Sequence, residues 1–411
     1  MKQVMIVGML VLLVAGCARE APRKAETAVR VFGWRGDGSG RFADVTSPVN
    51  WDSDEGTNIL WQTLVGESFS SPAVTDQLVF VTSEMDLLVC VDRRTGRILW
   101  QKDNGFDTLP DAMKVTEKRH PSSCGFSTPT PVTDGEFVYA SYGSGIVVCY
   151  DLAGRRRWTR YFDLPQMTEE GRSASPVLVG GKLLLSISHL IALDATTGKT
   201  LWQAKDAGVS YGTPVCTRAG GVEVVVTPNG DCVRLSDGKI LAAGLGGTTH
   251  NSPIAHDGVA YFVDVESRAV ELPGKVGEKF HCKVLWETEL EGEFFSSPVY
   301  HDGTVYVVCN EGVLYALDAK TGEVLWKKEL EIPSASGMPG LEPANIYPSL
   351  ALADGKLYLS NDTGTTLVLE PGKEYKELSR NLLDEGAGGS PAFAGKQLFV
   401  RGGEELYCIG K

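Results

Sequence analysis

The 411-residue chain has no adjacent pair of cysteines, no C-x-x-C and no C-x-x-C-H, which excludes the usual cysteine signatures of redox, zinc and haem-attachment sites. Long apolar runs are missing too. After the first 20 positions no stretch of about 20 apolar residues occurs, so no internal helix is available to span a bilayer. Nothing beyond the N-terminal segment repeats its apolar residues with a helical period. Positive charge is in deficit: Lys plus Arg total 39 against 52 Asp plus Glu, a formal charge of −13. Nucleic acid as a main partner, or electrostatic attachment to anionic lipid, would need a net basic face. There is no G-x-S-x-G elbow. Gly198-Lys199-Thr200 copies the end of a phosphate-binding loop, but Leu193 stands where the first glycine is needed. His250 and His256 share parity on extended chain, which puts them about 20 Å apart, too far to share a metal.

What is present suits a turn-rich β protein. The hydrophobic fraction of 43% supports a sizeable core, and 47 glycines accompany only 22% charged residues. At the N-terminus, Lys2 precedes an apolar run from Val4 to Ala15 with the length of a signal h-region. The run ends in Leu13-Val14-Ala15-Gly16-Cys17. This resembles the lipobox of bacterial lipoproteins, and the resemblance implies cleavage after Gly16 and acylation of Cys17. Ala18, where inner-membrane retention usually uses Asp, points to the outer membrane, facing the periplasm. Residues 1–16 are therefore expected to be a leader, and 17–50 a lipid-anchored tether with an N-terminal element.

The remainder, 51–411, is an internal repeat. Residues 295–326 read FSSPVYHDGTVYVVCNEGVLYALDAKTGEVLW, and 69–100, 173–202 and 126–158 hold further copies. A Ser/Thr-Pro mark or its variant recurs at Pro72, Pro129, Pro176, Pro214, Pro253, Pro298, Pro348 and Pro391. The spacing of about 46 residues is that of solenoids or propellers. Each unit reads as four antiparallel strands joined by Asp-Gly or Gly-Gly, a second Gly-containing turn, and Thr-Gly, with Leu-Trp near the end. Three units are degenerate: the fourth lacks the Trp, the fifth lacks the glycine before Ala269, and the seventh has Pro371-Gly372 for Thr-Gly. The last unit is one strand short, and a lone closing strand stands at 58–62. The expected architecture is thus an all-β, eight-bladed propeller of four-stranded antiparallel blades, its ring closed by an N-terminal strand that removes an open sheet edge.

The L-Y-A-L-D-A-x-T-G-x-x-L-W pattern resembles the repeat of pyrroloquinoline-quinone-type (PQQ-like) β-propellers over roughly 51–411. Trp34-Arg35-Gly36 with Gly38-Ser39-Gly40 looks like an element found ahead of such propellers in some bacterial families. Trp61, Trp100, Trp158, Trp202, Trp286 and Trp326 recur once per unit, as large rings packing between neighbouring blades would. Cys90, Cys149 and Cys408 fill the small apolar slot held by Ala316; Cys216 and Cys232 are the first pair to test for a disulfide.

With its leader the chain also resembles the propeller lipoprotein of the outer-membrane β-barrel assembly machine. That resemblance implies a non-catalytic envelope scaffold with no cofactor, a monomer or subunit of a complex, held to the membrane by lipid on Cys17 and presenting loops to protein partners. An alternative of another class is a quinoprotein dehydrogenase; in that family PQQ lies between a Trp and an adjacent-Cys disulfide, beside calcium. A third is a carbohydrate- or peptide-binding module. Two linkers exceed what a blade needs, 103–124 and 331–347, and loops of that length tend to be functional. Arg119, His120, Met338, Asn345 and Tyr347 are the candidate binding residues there.

Overall fold

The hairpins take the conformation that their dipeptides favour. In the computed structural model both turn residues have positive φ at Gly180-Gly181 (53° and 70°), Asp257-Gly258 (46° and 79°), Asp302-Gly303 (43° and 82°) and Asp354-Gly355 (51° and 68°). That geometry matches the twist of the flanking strands. The structure describes residues 31–113, 115, 118–274, 280–332, 346–386 and 388–411.

These hairpins build eight four-stranded antiparallel blades around a ring, one of which gains a fifth strand. Blade 1 comprises Ala73–Val74, Leu78–Ser83, Leu87–Asp92 and Ile98–Asp103. Blades 2 to 7 begin at Val132, Val177, Val215, Ile254, Val299 and Ala351. Blade 8 has three C-terminal strands, Ala392–Ala394, Gln397–Gly402 and Glu405–Gly410, and takes Ile59–Leu64 as its outermost. Trp61 lies opposite Cys408 and Gln62 opposite Tyr407. The ring is closed by the N-terminal strand, as the repeat phase requires. Helical structure among the described residues is limited to two short 3-10 turns, Phe106–Thr108 and Asp111–Met113.

The core is divided among the blade interfaces. Val299, Tyr306 and Leu314 of blade 6 pack on Leu350, Leu357 and Leu367 at blade 7. Val79, Val89 and Val91 of blade 1 pack on Phe399, Leu406 and Cys408 of blade 8. Each such side chain removed from water contributes about 1.5–3 kcal/mol.

Two of the eight proline marks need correction. The inner strand of blade 2 follows Thr130-Pro131, not Pro129, and that of blade 7 follows Ser349-Leu350, not Pro348. The register is set by a hydrogen bond, described below, and not by the proline.

The N-terminal element lies across the axis of the ring. Phe32 exchanges backbone hydrogen bonds with Thr133 on the inner strand of blade 2. Arg41–Phe42 then pairs in parallel with the inner strand of blade 7, opposite Leu352 and Ala353, and Phe42 packs 5.1 Å from Phe393 of blade 8. Between them Arg35 is 2% exposed. Its Nη2 donates to the carbonyls of Pro298 (2.6 Å) and Leu350 (3.0 Å), on blades 6 and 7. This short segment therefore plugs the channel by bonding to blades on opposite sides of it.

Candidate functional site

Above the plug the channel opens into an axial cavity of about 780 Å³, within the range of about 300–1,000 Å³ typical of small-molecule sites. Its walls are built from the few residues that lead into each inner strand. Ser71, Thr130, Ser175, Thr213, Ser252, Ser297, Ser349 and Ser390 come one from each blade, and all line it. The amide N–H of each donates to the hydroxyl oxygen of the next blade's residue at 2.8–3.0 Å. Ser390 donates back to Ser71 at 2.9 Å, so the circle is complete. All eight are buried. Six of them precede the proline of an expected mark and Thr130 precedes Pro131; proline tolerates this place because the first residue of an innermost strand needs no N–H partner.

Two residues earlier, alternation of extended chain aims a second tier at the axis. This tier reads Phe69, Thr128, Ser173, Tyr211, His250, Phe295, Tyr347 and Gly388, and every member lines the cavity. Five are rings, and four contacts join them into one arc. Tyr211 stacks on His250 at 4.9 Å, and His250 on Phe295 at 4.3 Å. Tyr347 meets Phe295 edge-on at 5.2 Å and Phe69 at 6.2 Å. Gly388 leaves the room that Phe69 needs: a Cβ there would come within 2.1 Å of its ring. Trp34 of the N-terminal element adds a sixth aromatic.

The charge lining the cavity has one sign. Glu170, Glu293 and Asp362 line it, and no Lys or Arg does. His250 Nε2 lies 3.3 Å from Glu293 Oε1. The Glu170 amide donates to the Tyr211 hydroxyl at 3.0 Å. Burial pushes the Cys124 thiol up to about 11, with Glu170 adding to the effect, so it stays protonated at neutral pH. Burial also raises the Tyr347 phenol, again helped by Asp362.

Of the expected binding residues, Tyr347 lines the cavity. Arg119 does not; its Nη2 donates to Leu164 O at 2.5 Å and to Asp163 Oδ1 at 3.3 Å, bracing the loop that leads to Glu170. His120 is exposed and lies outside the lining. Cys17, Met338 and Asn345 fall outside the described residues. The blade tryptophans lie away from the cavity. Each indole N–H donates at 2.9–3.0 Å to a carbonyl in the next blade: Trp61 to Arg93, Trp100 to Leu152, Trp158 to Ala195, Trp202 to Leu235, Trp286 to Ala319 and Trp326 to Gly372. The eight described cysteines, Cys216 and Cys232 included, are free thiols.

The aromatic tier was open to view in the sequence as Phe69-Ser70-Ser71, Tyr211-Gly212-Thr213, His250-Asn251-Ser252 and Phe295-Ser296-Ser297. The residue two before each mark was the available signal; its convergence with the others needs the ring.

The lining does not fit the quinone of the dehydrogenase alternative. PQQ carries several carboxylates, and this cavity offers three more and no lysine or arginine. Cys124 has no adjacent cysteine. Among the described residues no group of three His, Cys, Asp or Glu is placed to hold a metal ion.

Comparison with known proteins locates the chain among its relatives. The profile of the family described as outer membrane protein assembly factor BamB matches residues 43–189, 186–281 and 276–371. Among solved structures, BamB from Moraxella catarrhalis is 13% identical, with a TM-score of 0.61 over 86% of this chain and 99% of that one. A europium-containing methanol dehydrogenase is 11% identical, with a TM-score of 0.62 over 92% of this chain and 98% of that one. At such identities the two structures share the fold with this protein and nothing finer. The serine/threonine-protein kinase AfsK of Streptomyces griseus is 28% identical over 186 residues, 42% of this chain. This chain matches only 21% of that kinase's length.

Proposed function

The chain belongs to the family described as outer membrane protein assembly factor BamB, and from that premise we propose that it is a non-catalytic scaffold of the bacterial cell envelope that presents propeller loops to protein partners during outer-membrane protein assembly. The family match across residues 43–371 carries this reading. Attachment is through lipid on Cys17, whose Leu13-Val14-Ala15-Gly16 context supports acylation; two or more acyl chains anchor stably where one is marginal.

The loop that holds Arg119 and His120 is the first surface to test. A photo-crosslinking residue at His120, used in cells and followed by mass spectrometry, is expected to capture a subunit of the barrel-assembly machinery. Capture of no envelope protein, from this site or from a second at Glu331, would count against the scaffold. Cys17→Ser is expected to release the protein into the soluble periplasmic fraction; continued membrane retention would remove the lipid anchor. Incubation with PQQ and calcium is expected to give no dye reduction, and a clear rate would restore the dehydrogenase reading.

A further inference from the structure

We propose that the axial cavity is a binding site for a neutral, polyhydroxylated ligand, an oligosaccharide. The inference is independent of the scaffold reading, because it rests on the cavity and not on the outer loops.

The first argument is the hydroxyl circle. Each of its eight oxygens accepts one amide N–H, and among the described residues none of the eight hydroxyl protons has a protein acceptor. These groups are at most 6% exposed. A hydroxyl keeps one donor and a second lone pair beyond the bond it already accepts. The circle thus offers donors and acceptors together on a buried surface.

The other two tiers decide between ligand classes. An anion would suit the hydroxyl protons, but it would meet Glu170, Glu293 and Asp362 on a wall that carries no Lys or Arg. A cation would suit the carboxylates and the aromatic faces, but it would leave the buried hydroxyl protons without acceptors, at the cost of their desolvation. A polyol satisfies all three features. Its hydroxyls donate to carboxylates, which are strong acceptors. They both donate to and accept from the serine and threonine circle. Its C–H faces cover the rings of the Tyr211–His250–Phe295–Tyr347–Phe69 arc, burying apolar area that is otherwise wet. The volume of about 780 Å³ accommodates a ligand of two or three sugar rings.

The test uses the full chain, purified in a detergent without a sugar headgroup. It is applied to an array of neutral glycans, and then titrated calorimetrically with the best binder, with spermidine as the cationic probe and PQQ as the anionic one. At least one neutral glycan is expected to bind, with an affinity that changes less than about twofold between low and high salt because no ion pair is formed. Phe295→Ala and Tyr211→Ala, on different blades, are each expected to weaken it by about tenfold or more. Glu293→Gln is expected to weaken it as well, and Leu382→Ala on the outer surface to leave it unchanged. Melting curves identify any variant that fails to fold, and the two aromatic variants stand in for each other. No binder on the array overturns the proposal. So does a binder that is indifferent to both aromatic variants, or salt-sensitive capture of spermidine or PQQ alone.

Discussion

At the scale of single residues, several side chains are explained by hydrogen-bonding need. Asp92 and Asp194 illustrate the simplest case. Each carboxylate accepts the side-chain hydroxyl and backbone N–H of the threonine three residues on, and that hydroxyl bond is the main reason both are held below their ordinary 3.8. Asp86 is the opposite case. It sits at φ 57° in the turn after Leu78–Ser83, is 3% exposed, and accepts from Ser144 at 2.9 Å. Burial pushes it up to about 7, against the Ser144 bond and with help from Glu84 and Asp103. A carboxyl raised on folding holds its proton better in the native state. Its contribution is therefore most favourable in acid and is lost as pH rises from the ordinary carboxylate range through about 7. Asp86→Asn keeps the left-handed backbone, which Asn tolerates, and avoids the buried charge. The variant should gain more stability at pH 8 than at pH 5, by on the order of 1–3 kcal/mol. Denaturant midpoints at the two pH values would show it, and equal gains at both would remove the buried-charge explanation.

At the scale of elements, the pairing of tryptophan with glycine explains the degenerate blades. Where a blade carries the tryptophan, the next blade presents a glycine-bearing turn whose carbonyl accepts the indole. At Gly96, Gly154, Gly198, Gly238 and Gly322 the ring of the preceding blade lies within 3 Å of where a Cβ would stand. Blades 4 and 7 have no tryptophan in their last strands, Ile240–Ala242 and Glu377–Asn381. In the blades that follow them the short Thr-Gly link is replaced: in blade 5 the strands ending at Glu271 and starting at Lys283 are separated by 11 residues, and blade 8 changes chain segment there. The indole donor and the short Thr-Gly link are thus absent from the same two blade interfaces. Gly198→Ala, at φ 69° and with its Cβ 2.8 Å from Trp158, is expected to cost about 2–4 kcal/mol. Gly303→Ala, at φ 82° with nothing within 4 Å, should cost only about 1–2 kcal/mol. Urea unfolding of the two variants separates contact from backbone strain, and equal costs would mean that the tryptophan face yields freely.

At the scale of the whole molecule, two N-terminal segments complete what the C-terminal end leaves open. Ile59–Leu64 pairs with Glu405–Gly410, and the Phe32–Phe42 stretch bonds to blades across the axis. A chain lacking residues 31–64 would expose the edge of Glu405–Gly410 and lose the cavity floor. Such a truncation should melt on the order of 10 °C lower and self-associate through the bare edge. Calorimetry and light scattering test this; an unchanged, monomeric melt would show that closure contributes little.

The amino-acid sequence by itself determined the blade, the blade count and the closure. Strand alternation, Asp-Gly turns and the Ile59-Leu60-Trp61 phase are local, and local patterns repeat wherever the same unit folds. It misplaced two of the eight marks, because the prolines at 129 and 348 sit near hydroxyl residues whose role depends on a neighbouring blade. Only the tertiary structure decided that Thr130 and Ser349 belong to the circle, that Arg35 reaches Pro298 and Leu350, and that five rings from separate repeats meet in one arc. Those relations depend on curvature summed over eight blades, and the 46-residue unit contains no record of that sum.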